Sequence, residues 1–270
     1  MSTSSAFHDQ ADGAPGGAAP LLGWPRRPQR LATAVVSDLA DRIVGGELPV
    51  GSALPIEPVL CEMFAVSRTV IREAVKSLEG MRLVTVQQGF GTTVRDADDW
   101  DLLDPVVLAA SIRHDNEQAI LEDLVDVRCT LESHMASQAA LRADEEQMRL
   151  IRAALDQLYA EEGDPARFLR ADLEFHYAIM AASGNRLGRA VVQTINAQAF
   201  QSLRYIGEPT LDDLRESNVA HQAVFDQLAA KDEQAAAKAM TDHIRGSWVK
   251  RRPDTRGRAG SRARDAHGRP

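Results

Sequence analysis

The most informative stretch of this chain reads Ser67-Arg-Thr-Val-Ile-Arg-Glu-Ala-Val-Lys-Ser-Leu-Glu-Gly-Met-Arg-Leu-Val84. Its apolar side chains recur at helical spacing, so Val70, Ala74 and Leu78 share a face that would point to the interior. Ser67 is a suitable N-cap because its hydroxyl can accept a hydrogen bond from an amide of the first turn. The stretch therefore predicts a helix with a capped start, a basic leading turn and an apolar rear face.

The neighbouring segments place this helix in a larger arrangement. A shorter helix is predicted before it, at Glu57–Phe64. Two short strands are predicted after it, at residues 84–86 and 92–94, and Gly89 and Gly91 allow the reversal between them. A helix, a turn, a second helix and a two-stranded wing form an architecture that reads DNA. This order favours a transcription factor over an enzyme.

In such an architecture the outward side of the second helix enters the major groove. Arg68 and Arg72 can each donate two hydrogen bonds to guanine or contact phosphate. The wing tip can approach the minor groove because glycine has no side chain in the way. The alternative interpretation is a basic helix face that is only solvated. We expect the DNA surface to consist of Arg68, Thr69, Arg72, Lys76, Gln88 and Gly89.

The net charge of −8 is distributed unevenly along the 270 residues. Residues 30–95 carry seven basic and seven acidic side chains, whereas residues 96–245 carry fourteen basic and twenty-eight acidic ones. Residues 246–270 carry eight basic and two acidic side chains. Because non-specific DNA affinity depends on local phosphate contacts, the acidic total does not exclude DNA binding.

Composition and periodicity divide the chain into four parts. Residues 1–29, rich in Ala, Gly, Pro and Ser, are predicted to be a disordered arm, and residues 250–270 a disordered basic tail. Residues 30–96 are predicted to form the winged helix-turn-helix domain, and residues 97–249 an all-α antiparallel helical bundle. The predicted fold class is therefore mostly α.

Helical periodicity locates the other helices. The first one is predicted from about Ala32 to Val44, and the aspartate-rich residues 96–104 are predicted to be a linker around Trp100. No convincing strand follows residue 104. The helices of the bundle are predicted at Asn116–Leu141, Asp144–Glu161, Pro165–Ser183, Leu187–Ile206, Leu211–Ala230 and Asp232–Val249.

The sequence carries no signature of secretion or of a membrane span. It contains no apolar run long enough to cross a bilayer, and its first residues lack the charged lead and apolar core of a secretory signal. Cys61 and Cys129 lie in separate predicted helices without the spacing of a metal or redox pair. We expect a cytoplasmic protein with no membrane partner.

A second set of residues has spacing that suits a metal site. Asp172 and His176 are four residues apart on one predicted helix, so they share a face. His221 and His243 lie among apolar neighbours on two later helices. Three imidazoles and one carboxylate suit a borderline divalent metal such as Zn²⁺, Ni²⁺ or Mn²⁺. On spacing alone, such histidines are more often hydrogen-bonded core residues.

The first half of the chain resembles the winged helix-turn-helix of the GntR family of bacterial regulators. The resemblance implies that Arg68, Thr69, Arg72 and Gly89 contact operator DNA. Pro58 departs from the family, which often has arginine or another polar residue there that helps to hold DNA. The motifs that carry the resemblance are Gly46-Glu-Leu-Pro-Val-Gly-Ser52, Leu54-Pro-Ile-Glu57, Ser67-Arg-Thr69, Arg72-Glu-Ala74 and Gly89-Phe-Gly91.

The second half resembles the FCD effector domain of the FadR-type branch of that family. The resemblance rests on Asp172 with His176, on Asn218-Val-Ala-His221 and on Met240-Thr-Asp-His243. It implies that residues 97–249 bind an effector and form the dimer. It also implies that the metal ligands are Asp172, His176, His221 and His243, with Zn or Ni as the expected metal and Mn as an alternative.

The same resemblance implies a site for an effector carboxylate. An arginine near the start of the FCD domain commonly binds that carboxylate beside the metal, and Arg128 matches this position. A guanidinium fork fits a carboxylate well. The alternative is a surface arginine paired with Asp126 or Glu132. Arg204 and Asn218 are expected to complete the pocket.

Taken with these residues, the resemblance implies a metabolite-responsive regulator. We expect it to be a repressor, which frees the promoter when the effector binds. It would bind a pseudo-palindromic operator in double-stranded DNA as a homodimer. The linker Trp100-Asp-Leu-Leu-Asp-Pro-Val-Val-Leu108 resembles that of galactonate-type regulators and favours a sugar acid among small carboxylates.

One alternative is a metal-dependent hydrolase of small carboxylates or lactones fused to a DNA-binding domain, since a metal with open positions can activate water. Another is a structural DNA-associated protein whose metal only staples the bundle.

Overall fold

The structure is a computed structural model that describes residues 26–116 and 118–252, with side chains from residue 30 onward. Within these ranges the chain is helical apart from one two-stranded sheet, so the expected mostly α fold class is confirmed. The elements are α1 (Arg26–Val44), α2 (Glu57–Phe64), α3 (Arg68–Gly80), β1 (Val84–Gln87), β2 (Gly91–Val94), α4 (Pro105–His114), α5 (Ala119–Arg142), α6 (Glu145–Ala160), α7 (Pro165–Ala182), α8 (Arg186–Ala199), α9 (Leu203–Ile206), α10 (Leu211–Ala229) and α11 (Glu233–Arg251).

The predicted arm and tail fall mostly outside the described residues, namely in residues 1–25 and 253–270. The inner ends of both segments are helical. Helix α1 begins at Arg26, inside the expected arm, and α11 continues to Arg251, inside the expected tail. The apolar stripe of α1 starts only at Leu31, so periodicity could not detect the first turn of this helix.

The first domain is built from α1, α2, α3 and the sheet around a shared apolar core. Leu39, Leu60, Ile71 and Leu78 are among its fully buried side chains. Strands β1 and β2 pair antiparallel, with Val84 opposite Val94. This packing fixes α3 against α1 and leaves the basic side of α3 facing outward.

The start of α3 differs from the prediction in one respect. Ser67 occupies the N-cap position, but its hydroxyl makes no capping hydrogen bond. Ser67, Arg68 and Thr69 are all exposed. Because this helix begins at the surface, solvent can satisfy its first amides without a side-chain cap.

Two parts of the second domain were not predicted correctly. Helix α4 lies between the linker predicted at residues 96–104 and the first bundle helix predicted from Asn116, where no helix was assigned. Asp104 caps it by accepting hydrogen bonds from the amides of Val106 (2.8 Å) and Val107 (3.3 Å). The expected single helix at residues 187–206 is two helices, α8 and the one-turn α9. The chain tightens into short turns after Ala199, where the amide of Ser202 donates to the Ala199 carbonyl. The other five bundle helices begin and end within a few residues of their predicted limits.

Helix α5 is central to the bundle, where it packs against α7, α8, α10 and α11. The bundle core contains Leu121, Leu155, Phe175 and Val224. Helix α4 packs against both α1 and α8, and its Val107 is buried in the core of the first domain. Helix α4 is therefore a packed connection between the two cores. Among the described residues, no helix is both long and apolar enough to span a membrane.

An ion pair lies within the bundle. Arg128 Nε is 2.6 Å from Glu132 Oε1, and the two side chains are only 5% and 1% exposed. The Arg128 Nη1 group also donates a 2.6 Å hydrogen bond to the Tyr205 hydroxyl. The sequence left open a pairing of Arg128 with Glu132 at the surface; the pairing exists, but it is interior. Loss of one partner would leave an uncompensated buried charge.

We expect Glu132→Leu to lower the free energy of unfolding by about 3–5 kcal/mol, because Arg128 would lose its buried counter-charge. The measurement is urea denaturation of the metal-free protein in the presence of a chelator. Glu122→Leu is the matched control, since Glu122 lies on the same helix but forms only an exposed pair with Arg252 at 3.7 Å. That control should change the free energy by less than about 1 kcal/mol. Equal losses in both variants would contradict the buried pair.

Candidate DNA interface and metal centre

The six residues expected to contact DNA lie exposed on the first domain. Four of them follow the outward face of α3, and the other two form the tip of the wing between β1 and β2. The backbone of Gly89 has φ +82°, a conformation that favours glycine, and open space surrounds its α-carbon. The residues are Arg68, Thr69, Arg72, Lys76, Gln88 and Gly89.

A glutamate of α2 holds both arginines of this face. Arg72 donates from Nε to Glu57 Oε2 at 2.8 Å, and Arg68 Nε lies 3.6 Å from Glu57 Oε1. The hydrogen bond from Arg72 lowers the pKa of Glu57 more than partial burial raises it. The arginine side chains remain 70% and 68% exposed. Glu57 therefore orients these guanidinium groups without removing them from the surface.

The exposure of Phe90 at the wing tip was not predicted from the sequence. Its side chain is 85% exposed at the wing tip, and its amide donates to the Gln87 carbonyl at 3.0 Å. The wing thus presents an aromatic ring beside the two predicted contact residues.

The four predicted metal ligands converge in the bundle. Asp172 and His176 come from α7, His221 from α10 and His243 from α11, and all four are buried. One potential ligand atom from each residue lies within 4.8 Å of those of the others. The Nε2 atoms of His176 and His243 are 3.1 Å apart, and His221 Nε2 is 3.1 Å from Asp172 Oδ1.

Several atoms of this cluster have unsatisfied hydrogen-bonding capacity. Both ring nitrogens of His221 and the Oδ1 atom of Asp172 are buried without a hydrogen-bond partner among the described residues. The distance of 3.1 Å between His221 Nε2 and Asp172 Oδ1 is short, but these two atoms are not aligned as a hydrogen bond. Buried polar atoms are rarely left unpaired. A divalent cation would satisfy them, so these residues fit a metal with nitrogen and oxygen ligands.

The electrostatics of the cluster also suit a cation. Burial raises the pKa of Asp172, but His221 and His176 outweigh burial and hold that pKa well below its ordinary value. Burial lowers the pKa of His243 well below its ordinary value, and the other two histidines add to this effect. Burial also lowers the pKa of His221, although Asp172 opposes the shift. An ionised carboxylate and neutral imidazoles are the forms that bind metals.

Glu132 connects the cluster to the buried arginine. Its Oε2 atom lies 2.5 Å from His176 Nδ1, which leaves His176 Nε2 directed towards the other ligands. Such carboxylate–histidine contacts fix the orientation of a ligand ring. Burial raises the pKa of Glu132, but the charges of Arg128 and His176 outweigh it and lower that pKa to about 2. Sequence reasoning missed this role, although the four-residue spacing of Arg128 and Glu132 indicated a shared helix face.

Arg128 lies where the sequence predicted an effector carboxylate. It lines a cavity of about 10 Å³ that also contacts the metal cluster. A second cavity of about 130 Å³ between α10 and α11 shares three lining residues with the first, so the two adjoin. The shared residues are His243, Ser247 and Arg251.

The two other predicted effector residues, Arg204 and Asn218, do not line these cavities. Arg204 Nη1 donates to the carbonyls of Arg113 (2.8 Å) and Ile112 (3.5 Å) at the end of α4. Neighbouring side chains of the one-turn α9 diverge, so Tyr205 rather than Arg204 reaches Arg128. Asn218 is buried, and its amide donates to Glu162 Oε2 at 3.0 Å.

The end of α4 in turn contacts the first domain. Arg113 Nη2 lies 2.7 Å from Asp41 Oδ1 on α1, and His114 Nε2 lies 3.2 Å from the same oxygen. Helix α9 thus touches the inner cavity through Tyr205 and touches α4 through Arg204. Polar contacts on either side of this short helix therefore link the cavity to α1.

Comparison with known proteins agrees with both halves of this arrangement. Residues 31–94 match the family described as bacterial regulatory proteins, gntR family, and residues 123–246 match the FCD domain. The galactonate operon transcriptional repressor of Escherichia coli (strain K12) is 30% identical over 215 residues, which are 79% of this chain and 93% of that protein. The HTH-type transcriptional regulator LutR of Bacillus subtilis (strain 168) is 29% identical over 75% of this chain and 92% of its own length.

A solved structure supports the fold alone. It is described as Lar, which controls the expression of the Listeria monocytogenes agr system; it is 17% identical and covers 81% of this chain and 95% of its own, with a TM-score of 0.52. The relatives are named as transcriptional regulators rather than as enzymes, which favours a regulator over the hydrolase alternative. This chain belongs to the GntR family of bacterial regulatory proteins and carries an FCD domain after its DNA-binding domain.

Proposed function

We propose that this DNA-binding regulator is a repressor whose affinity for its operator is controlled by a small carboxylate bound at a divalent metal. Residues 30–96 read a pseudo-palindromic operator, and residues 97–249 bind the effector and form a homodimer. The proposal rests on the presence of two sites in one chain. The first domain has exposed arginines on α3, and the second has a buried metal-type cluster beside a buried arginine. Such a regulator works in the cytoplasm, where its promoter DNA lies.

The recognition of DNA follows from the exposed face of α3. Arg68 and Arg72 are positioned by Glu57 but remain open to solvent, so their outer hydrogen-bond donors are free to meet guanine edges or phosphates. Thr69 and Lys76 flank them on the same helix. Two such reading heads in a symmetric dimer would bind two half-sites, which multiplies the affinity of a small contact surface.

The effector site follows from the residues around the cluster. Asp172, His176, His221 and His243 would hold Zn²⁺ or Ni²⁺, with Mn²⁺ as the alternative, and the metal supplies a Lewis acid for an oxygen of the effector. Arg128 binds a carboxylate through its guanidinium edge, in competition with the Tyr205 hydroxyl. The relative named for the galactonate operon favours a sugar acid. A 10 Å³ cavity has no room for such a molecule, so binding requires the inner cavity to open.

The route from effector to DNA follows from α9. A carboxylate that displaces Tyr205 from Arg128 would shift this short helix, and Arg204 would transmit the shift to the end of α4. Helix α4 contacts Asp41 on α1 through Arg113. A ligand that favours one arrangement of this packed connection changes the population of DNA-binding states.

Arg72→Ala tests the reading head. We expect operator affinity to fall by about tenfold to 100-fold, because the loss of one base contact of this type is worth about 1–3 kcal/mol. The operator is first selected from random DNA duplexes with the wild-type protein, and affinity is then measured by fluorescence anisotropy at one fixed salt concentration.

Arg42→Ala is the control, since it removes the same charge from a half-buried residue of α1 that pairs with Asp38. Its operator affinity should stay within about threefold of the wild type. Unchanged affinity in Arg72→Ala would remove the assignment of α3 as the reading helix.

His221→Ala tests the metal centre. We expect zinc affinity to fall by at least about 100-fold, since a direct ligand matters more than the outer partners whose loss typically weakens metal binding by 10–100-fold. Operator binding in the absence of effector should be unchanged. His134→Ala, an exposed histidine of α5, should retain the metal.

Zinc content is measured by elemental analysis after dialysis against buffered Zn²⁺. In parallel, a panel of sugar acids and dicarboxylates should raise the melting temperature of the wild type only with metal present. Equal zinc content in the wild type and in His221→Ala would mean that the cluster is ordinary core packing.

A further inference from the structure

The indole N–H of Trp248 is a buried donor for which the described part of the chain provides no acceptor. The residue lies on α11 and is 5% exposed. Its Nε1 group has no hydrogen-bond partner among the described residues. A buried N–H group left unpaired is destabilising and uncommon, and each such group calls for an explanation.

The position of this donor points to the effector cavity. Trp248 lines the inner cavity together with Arg128, Asp172 and His243. Its ring stacks on Tyr205, with centroids 5.8 Å apart and planes inclined by 21°. Tyr205 is in turn bonded to Arg128 at 2.6 Å. The indole is therefore held by stacking and not by a hydrogen bond, and its donor remains available beside the predicted carboxylate site.

We propose that Trp248 recognises the effector by donating its indole N–H to a hydroxyl or keto oxygen near the effector carboxylate. An indole N–H can only donate, so its partner must be an acceptor. The carboxylate itself is assigned to Arg128 and the metal. The inference rests on the proposed function and narrows its ligand class to hydroxy or oxo carboxylates, as opposed to simple fatty or aromatic acids.

The two cavities give this residue a selective position. The inner cavity holds about one water-sized molecule, whereas the adjoining outer cavity of about 130 Å³ lacks Trp248 in its lining. His243, Ser247 and Arg251 line both cavities. Trp248 and Arg128 both line the inner cavity and not the outer one. An effector that enters from the outer cavity would therefore contact Trp248 only once its carboxylate end has reached Arg128. A site built around a buried donor rejects an analogue that lacks the acceptor.

The test compares matched ligand pairs on Trp248→Phe, which keeps an aromatic ring for stacking but removes the N–H. Full-length zinc-loaded protein is titrated calorimetrically with D-galactonate and 2-deoxy-D-galactonate, and with L-lactate and propionate. The wild type should bind a hydroxy acid at least about tenfold more tightly than its deoxy partner. In Trp248→Phe this preference should fall below about threefold, while affinity for the deoxy acid stays the same.

Trp100→Phe is the matched control, because the Trp100 indole already donates to the Arg95 carbonyl at 3.2 Å outside the cavities. This variant should keep the wild-type preference. Effector binding should change the intrinsic fluorescence of the wild type and of Trp100→Phe, and this change should disappear in Trp248→Phe. Zinc content and operator affinity without effector should be equal in all three proteins.

The outcomes distinguish a failure of the role proposed for Trp248 from a failure of the proposed function. If the wild type binds a hydroxy acid and Trp248→Phe retains the full preference and the fluorescence change, the role of Trp248 is wrong and the proposed function stands. If the wild type binds neither member of either pair, the proposed effector class is wrong and the role of Trp248 falls with it.

Discussion

The organisation of the second domain depends on the carboxylate of Glu132. One of its oxygens binds Arg128 at 2.6 Å and the other lies 2.5 Å from the ring of His176. A buried arginine without a counter-charge and a buried imidazole N–H without an acceptor would each be unfavourable in an apolar bundle. Because one carboxylate contacts both Arg128 and His176, the arginine and the metal-type cluster are held at a fixed separation. Glu132 therefore positions the residues that are proposed to bind the effector and the metal.

The first domain uses a carboxylate in a comparable way at its surface. Glu57 of α2 contacts two arginines of α3, so the reading face is shaped by the helix that precedes it in the chain. The two domains are connected by α4, which is packed against α1 and α8. The polar contacts of Arg204 and Arg113 run along the same connection. The metal-type cluster and the exposed face of α3 are thus separated in space but joined by packed elements with defined contacts.

Local information in the sequence was sufficient for much of this arrangement. The limits of α2 at Glu57–Phe64 matched the prediction, because apolar spacing and the preceding proline are properties of neighbouring residues. The four-residue spacing of Asp172 and His176 gave a shared face, and the family motifs supplied His221 and His243. Helix α4 was not assigned to residues 105–114, because its ten residues give a short window for helical periodicity.

Contacts between distant segments could not be predicted in this way. Tyr205 meets Arg128 across 77 positions of the chain, and no local pattern encodes that distance. The division of residues 187–206 into two helices directs Arg204 and Tyr205 to different partners, which a continuous helix would not do. The sequence also could not predict which indole N–H lacks an acceptor among the described residues, because the partners of Trp100 and Trp248 depend on how the interior packs.

The shared contact of Arg68 and Arg72 with Glu57 has a consequence for association with DNA. Long arginine side chains lose rotamer freedom when they dock, and this loss opposes binding. Here the Nε end of each guanidinium is restrained before any duplex arrives, so part of that entropy has already been lost during folding. If both arginines contact DNA as proposed, a nucleotide change opposite one arginine would also affect the other, because both contact Glu57.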